Sequence, residues 1–176
     1  MNRLSPFRAI YAVALLLLFT TGISAQDPLI ADFKQKWINA TDYTLAFARA
    51  MPDTDYGFRP VPAEMTYAEQ LKHMAGNMIW LSSTYLQGAK GHVDPSATAN
   101  TKKDIIPMLE KSFAYALETI GRLTSADLDE QVEFFAGTMS RRRILMLMSD
   151  HLTHHRGQLV VYLRLRVIEP PKYKGW

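Results

Sequence analysis

The last helical pattern of the sequence, from about Ser140 to Val167, carries polar rings inside its apolar stripe. Residues recur every three or four positions along this stripe, the spacing of one helix face: Ile144, Met148, His151, His155, Leu159 and Tyr162. Imidazole nitrogens on a core face cost free energy unless protein, water or a metal ion satisfies them. The pattern therefore predicts a helix that packs in a core and holds a polar site at its centre.

His151 and His155 lie one helical turn apart, so their rings can share one cation. His154 is rotated by about 60° from His151 and about 100° from His155, and we expect it to flank the pair. Asp150 is rotated by about 100° from His151 and does not complete a set of two histidines and a carboxylate. A third ligand should come from a facing helix, and His73 is the candidate because His92 lies in a polar loop. Hydrogen bonding of these rings by protein or water alone is the alternative.

Three further segments have helical spacing and plausible ends. They run from about Pro28 to Ala50, from Thr66 to the glycines at 88 and 91, and from Thr101 to Leu123. The second opens with a threonine and, three residues later, Glu69, the spacing of a capping box. Pro107 lies inside the third, which predicts either a bend or a regular helix that starts near Ile106.

The segment between the third and fourth helices, residues 125–138, reads as an acidic connector with a short extended piece at "QVEFF" and a turn at Gly137. No strand pattern is long enough to build a sheet. Four helices of about twenty residues predict an all-α four-helix bundle. The long loop between the first two helices allows a crossover connection.

The N-terminal residues 1–25 predict a secretory signal peptide rather than part of the fold. Arg3 and Arg8 precede the apolar run "AIYAVALLLLF", which is too short to span a bilayer comfortably. "ISA" then supplies small residues before a cleavage site at Gln26. An uncleaved membrane anchor is the alternative. We expect residues 26–176 to form one domain, exported to the periplasm, without a stable membrane span after cleavage.

Composition excludes several function classes. The chain has 20 basic and 17 acidic residues, and residues 1–25 hold two arginines and no acid, so the remainder has 18 against 17. A net charge of +1 does not indicate a nucleic-acid partner. The chain contains no cysteine, which excludes disulfides, cysteine nucleophiles and cysteine-based zinc sites. We expect Arg156 and Gln158 to make surface or inter-helix polar contacts.

Two stretches carry a family resemblance. "DHLTHHRGQL", followed by "VVYLRL" and "PP", resembles the C-terminal helix signature of the DinB family, the DinB/YfiT-like metalloenzymes. "RPVPAEMTYAEQLKHMAGN" resembles its other signature, a capped helix with one histidine. The resemblance extends over essentially all of residues 26–176.

The resemblance implies a bundle with non-up-down connectivity and a divalent metal, usually zinc or nickel. Carried onto this sequence, the ligands are His73, His151 and His155, whereas His154 matches an extra histidine that is not a ligand. Many members of the family are homodimers. Some are thiol-dependent transferases or isomerases that work in the cytoplasm, whereas this chain has the features of an exported one.

Three functions follow from these observations. The first is a metal-dependent hydrolase or thiol-type transferase acting on an unknown small molecule, with Asn77, Tyr162 and Glu69 as candidate pocket groups. The second is a non-catalytic periplasmic metal-binding or stress-related bundle. The third is a purely structural or interaction bundle whose histidines are satisfied by protein.

Overall fold

The computed structural model describes residues 27–90 and 101–176. Within these two segments the elements are α1 (Pro28–Ala50), α2 (Tyr67–Tyr85), α3 (Lys102–Arg122), α4 (Ser125–Asp129), β1 (Gln131–Val132), β2 (Met139–Ser140) and α5 (Arg141–Leu165). A 3-10 turn, Asp53–Asp55, lies between α1 and α2. The predicted all-α fold class is confirmed, and the four long helices form the bundle.

Side chains cap the helices where the sequence predicts their ends. Asp27 accepts a hydrogen bond from the backbone of Leu29 at the start of α1, at 2.8 Å. At α2, Thr66 Oγ1 accepts from the N–H of Glu69, and the Glu69 carboxylate accepts from the N–H of Thr66 at 2.6 Å. Such caps satisfy backbone donors that have no partner inside the helix. They fix where α2, the helix that carries His73, begins.

The four long helices pack in a ring of neighbours. The closely packed pairs among the described elements are α1 with α3, α3 with α2, α2 with α5, and α5 with α1. Helices α1 and α2, which follow each other in the chain, therefore lie diagonally across the bundle. The loop that joins them is held by Tyr56, whose hydroxyl donates to the carbonyl of Ala48 at 2.6 Å. Because α5 packs against both α1 and α2, it lies between these two helices and presents one face to each.

An apolar core fills the bundle. Trp37 on α1 stacks on Phe33 and contacts Phe113 on α3, with ring centroids 5.9 Å and 5.5 Å away. Its indole N–H donates to the Phe113 carbonyl at 3.3 Å, so the polar atom of this buried ring has a partner. Burying a large apolar side chain contributes roughly 1.5–3 kcal/mol. A core of such residues stabilises a chain that has no cysteine to form disulfides.

The connector between α3 and α5 contains a two-stranded hairpin. Gln131 pairs with Ser140 and Val132 with Met139 in antiparallel register. The predicted turn at Gly137 is present, with a φ of 105° that favours glycine. The extended piece predicted at "QVEFF" is thus confirmed for its first two residues.

Two details of the helices differ from expectation. The short helix α4 lies in a segment predicted to be an irregular connector, because five residues are too few to show helical spacing. Helix α3 already begins at Lys102, so a regular start near Ile106 is wrong. Pro107 lacks the N–H that would bond the carbonyl of Lys103, but both residues are exposed, so water can bond that carbonyl.

The predicted signal peptide, residues 1–25, and the predicted polar loop around His92 lie outside the described residues. Of the helices that are described, none is long and apolar enough to span a bilayer.

Candidate metal centre

The three histidines singled out in the sequence meet between α2 and α5. One ring nitrogen of each of His73, His151 and His155 lies within 4.8 Å of the others. The Nε2 atom of His151 is 2.9 Å from Nε2 of His73 and 3.2 Å from Nε2 of His155. The structure therefore brings together three nitrogen donors, two from one turn of α5 and one from the facing helix.

The cluster is buried on one side and open on the other. His155 is buried, His151 is partly buried and His73 is exposed. Solvent and small molecules can therefore approach the cluster from the α2 side, while its α5 side rests on the core.

A hydrogen-bonded chain fixes the ring of His155. The hydroxyl of Tyr162 donates to the carbonyl of Met65 at 2.6 Å, and a carbonyl can only accept. The side-chain N–H of Gln70 donates to the Tyr162 oxygen at 3.4 Å, which leaves Gln70 Oε1 as an acceptor. His155 Nδ1 lies 2.6 Å from this oxygen and must carry the proton. The lone pair of His155 is therefore on Nε2, the atom that faces the other two histidines.

Burial keeps these rings neutral. Desolvation, reinforced by the neighbouring imidazoles, lowers the pKa of His151 and of His155 to about 4. Desolvation also lowers the pKa of His73. Neutral imidazoles are the form that binds metal ions, so the cluster is in its ligating form at neutral pH.

Protein hydrogen bonds alone do not satisfy the cluster. A neutral imidazole has one N–H, and that of His155 is used at Nδ1. If His151 donates from Nε2 to His155, it has no second hydrogen for His73, whose exposed Nε2 is then left to solvent. If it accepts from His73 instead, two lone pairs face each other at the contact with His155. A cation between the three nitrogens removes this conflict, because every Nε2 then contributes a lone pair.

The donor set and its spacing fit a zinc-like ion. Zinc–nitrogen bonds of about 2.0–2.1 Å in a tetrahedral site separate two nitrogens by about 3.3 Å. Two of the three separations, 2.9 Å and 3.2 Å, are close to this value, and the third, between His73 and His155, is at most 4.8 Å. Within residues 27–90 and 101–176, no carboxylate or further histidine joins the cluster. Three neutral ligands leave a coordination position for water or substrate, as catalytic zinc sites do.

Two neighbours of the cluster on α5 are not part of it. His154 is exposed, and its Nε2 lies 3.1 Å from the side-chain nitrogen of Gln158. Asp150 is exposed and lines a groove against α1. The structure thus places both residues where the helix geometry of the sequence predicts, outside the set of converging nitrogens.

The three candidate pocket groups have different positions. Glu69 caps α2 and lies 3.6 Å from Arg59, so it serves the helix end. Tyr162 belongs to the chain that orients His155. Asn77 lies one turn after His73, and its Oδ1 is buried without a hydrogen-bond partner in the described part of the chain.

Gln70 is the site residue that sequence reasoning missed. It is 1% exposed and lies three residues before His73 on the same helix. A glutamine at this spacing from a histidine, inside an apolar helix, is the signal that could have identified it.

The fold and the cluster agree with a family comparison. The DinB family matches residues 25–174, almost all of the sequence after the predicted signal peptide. The chain belongs to the DinB family. The matched residues include both helices that carry the histidines.

Solved DinB-like structures share the fold. A DinB-like protein from Bacillus cereus ATCC 10987 superimposes with a TM-score of 0.70 at 22% identity, covering 80% of this chain and 95% of that one. The DinB-like YjoA of Bacillus subtilis gives 0.69 at 21% identity, covering 81% and 97%. By sequence, YjoA of strain 168 is 21% identical over 131 residues, which are 73% of this chain and 84% of YjoA. At these identities the likeness shows the fold.

Proposed function

We propose that this DinB family chain is an exported metalloenzyme that holds zinc or nickel through His73, His151 and His155. Its reaction is hydrolysis of, or group transfer to, a small molecule. The observation that carries the proposal is the convergence of three Nε2 atoms that protein hydrogen bonds cannot all satisfy. The family is associated with metals, which supports the same assignment.

The residues around the ligands have separate tasks in this proposal. A bound divalent ion would supply Lewis-acid activation of a water molecule or of a thiol. Gln70 holds His155 with its Nε2 lone pair directed at the other rings. The exposed position of His73 leaves a path for substrate.

An enzyme needs an exchangeable coordination position, whereas a storage or structural site does not. Three protein ligands and an open side favour the enzyme. The non-catalytic metal-binding bundle makes the opposite prediction, a closed site without turnover. Cobalt-loaded protein distinguishes the two, because added azide changes the visible spectrum only where a position is open.

The test combines this spectrum with turnover. Metal-loaded protein is assayed on a panel of esters, amides and phosphoesters, and on thiols paired with electrophiles. We expect turnover by the wild type and by His154→Gln, and loss of at least a hundredfold in His151→Gln. A cobalt spectrum that is insensitive to azide, together with no turnover on the panel, would contradict the enzyme and leave the metal-binding bundle.

Export is part of the proposal and rests on residues 1–25. The basic start, the short apolar run and the small residues before Gln26 support it. Export favours hydrolysis over transfer from cytoplasmic thiol cofactors. The mass of the protein in a periplasmic extract should correspond to a chain that begins at Gln26. A mass that includes Met1, found in the cytoplasmic fraction, would contradict export.

A further inference from the structure

A buried cation lies on the other side of α5, where this helix faces α1. Arg156 is 5% exposed. Its Nη1 donates to the carbonyl of Ala40 at 3.4 Å, and its Nη2 donates to Thr153 Oγ1 at 3.1 Å. The guanidinium carbon lies 5.4 Å from the centre of the Tyr43 ring.

The charge of Arg156 is not balanced by a direct carboxylate partner within residues 27–90 and 101–176. No ion pair among the described residues includes it. A guanidinium has five N–H donors and stays charged in proteins, and here hydrogen bonds to described residues use two of them. Buried charges are normally paired. The pattern points to an anion that the described part of the chain does not provide.

Arg156 lines a cavity of about 290 Å³, which we call the Arg156 cavity. Besides Arg156, its charged lining groups are Lys36 and Asp150, so the lining carries a net charge of +1. Apolar surface comes from Tyr43 and Val160. The volume is close to the lower end of the range for small-molecule sites, roughly 300–1,000 Å³.

The C-terminal segment after α5 forms one wall of this cavity. Tyr173 and Gly175 belong to the lining. The Tyr173 ring contacts the Tyr43 ring edge-on, with centroids 6.0 Å apart. Lys174 pairs with Asp42 at 2.7 Å, which fastens the segment to α1. The cavity is thus lined by α1, α5 and the C-terminal segment.

We propose that the Arg156 cavity binds a small monocarboxylate with an apolar or aromatic body. Arginine binds carboxylates through two parallel hydrogen bonds, and Arg156 retains free donors for them. Thr153 Oγ1 accepts from Arg156 and keeps its own hydrogen to donate to the ligand. One negative charge balances the lining charge of +1, and the aromatic walls accommodate the rest of the molecule.

This site is separate from the metal centre. Around α5, Arg156 is rotated by about 100° from His155 and about 140° from His151. The histidines contact α2, whereas Arg156 contacts α1. The proposal therefore goes beyond the proposed function and holds whether or not metal is bound.

Benzoate is the probe, with benzamide as its neutral counterpart and inorganic phosphate as a second oxyanion. Binding is followed by NMR chemical shifts of the purified protein, once with zinc and once metal-free after the chelator is removed. We expect saturable benzoate binding in both forms, and at least tenfold weaker binding of benzamide and of phosphate.

Two variants locate the binding. Arg156→Gln removes the charge, and Arg164→Gln is its control because Arg164 is an exposed arginine on the same helix. Gly157→Leu fills the cavity: a Cβ at this lining position meets no atom within 4 Å, and leucine forms helix better than glycine. We expect at least a tenfold loss in Arg156→Gln and Gly157→Leu, and none in Arg164→Gln.

Several outcomes would overturn the proposal. They are absence of saturable binding, equal binding by the wild type and Gly157→Leu, and binding that requires zinc. Phosphate binding as tight as that of benzoate would overturn the carboxylate assignment. If Arg156→Gln does not fold, Gly157→Leu decides alone.

Discussion

Gln70 controls the ring of His155 although the two residues lie on different helices. Its Oε1 accepts the Nδ1 proton at 2.6 Å, and its own amide is held by Tyr162. Partners of this kind fix the tautomer of a metal-ligating histidine and raise its basicity. The position of one amide thus determines whether the Nε2 lone pair faces the other two rings.

Replacing Gln70 by leucine should weaken metal binding and retain the fold. Leucine has a similar volume and no acceptor, so the His155 ring loses its fixed orientation. Loss of such a partner typically costs 10–100-fold in metal affinity, and we expect this range in a zinc competition titration. Gln35→Leu, at an exposed position of α1, is the control and should bind as the wild type does. Equal affinity of Gln70→Leu and the wild type would contradict the role of Gln70.

The neutral histidines also predict how the metal-free protein responds to acid. The pKa of His151 and of His155 is about 4 in the fold, and histidines of an unfolded chain titrate near 6.5. Between these values the unfolded chain binds protons that the folded chain does not. The free energy of unfolding therefore falls as the pH drops from about 6.5 to about 4, and this contribution is absent above 6.5.

Urea unfolding of the metal-free protein at pH 7.5 and pH 5.0 measures this effect. Carboxylates also titrate at low pH, so His151→Gln is the reference. The wild type should lose more stability between the two pH values than the variant, because the variant has one fewer histidine with a lowered pKa. An equal loss in both proteins would show that His151 does not take up a proton on unfolding.

At the scale of elements, the start of α2 positions the site. The capping box of Thr66 and Glu69 fixes the first turn, which ends at Gln70, and His73 follows one turn later. If this turn frayed, the side chains of Gln70 and His73 would no longer be held against α5. The capping hydrogen bonds at the start of α2 therefore help to fix the geometry of the histidine cluster.

Thr66→Ala should destabilise the protein by about 1 kcal/mol, the usual cost of a lost N-cap. Thr84→Ala is the matched control, because Thr84 is an exposed residue near the other end of α2. For a chain of this length, 1 kcal/mol corresponds to a melting temperature about 2–4 °C lower, which calorimetry can measure. A decrease of the same size in Thr84→Ala would show that the cap is not the cause.

Helix α5 carries buried polar side chains on two different faces within one helical turn. His151 and His155 face α2, and Arg156 faces α1, because α5 lies between these two helices. A helix that packs against a single neighbour would have one buried face. The diagonal arrangement of α1 and α2 thus explains how consecutive residues, His155 and Arg156, can both be buried.

At the scale of the molecule, local patterns predict the bundle well. The spacing of apolar residues and the caps are properties of single helices, so the sequence indicates the four long helices and their ends. The i, i+4 spacing of His151 and His155 likewise places both rings on one face. His73 depended on the choice of a facing helix: it is the candidate because His92 lies in a polar loop, and the family resemblance supports this choice.

Features that depend on contacts between helices could not be predicted. Gln70 acquires its role only when α2 lies against α5. The inter-helix polar contact expected of Arg156 is present at the Ala40 carbonyl of α1, but its near-complete burial was not predicted. Its burial depends on the order of the helices around the bundle, which residue spacing within one helix does not determine.

The most direct test of the account is the metal content of untagged protein, measured by elemental analysis. The account predicts close to one equivalent of zinc or nickel in the wild type and in His154→Gln, and loss of the metal in His73→Gln and in His151→Gln. His154→Gln is the matched control, because it removes a neighbouring imidazole outside the cluster. No metal in the wild type, even after reconstitution with zinc or nickel, would contradict the account, as would equal loss in all three variants.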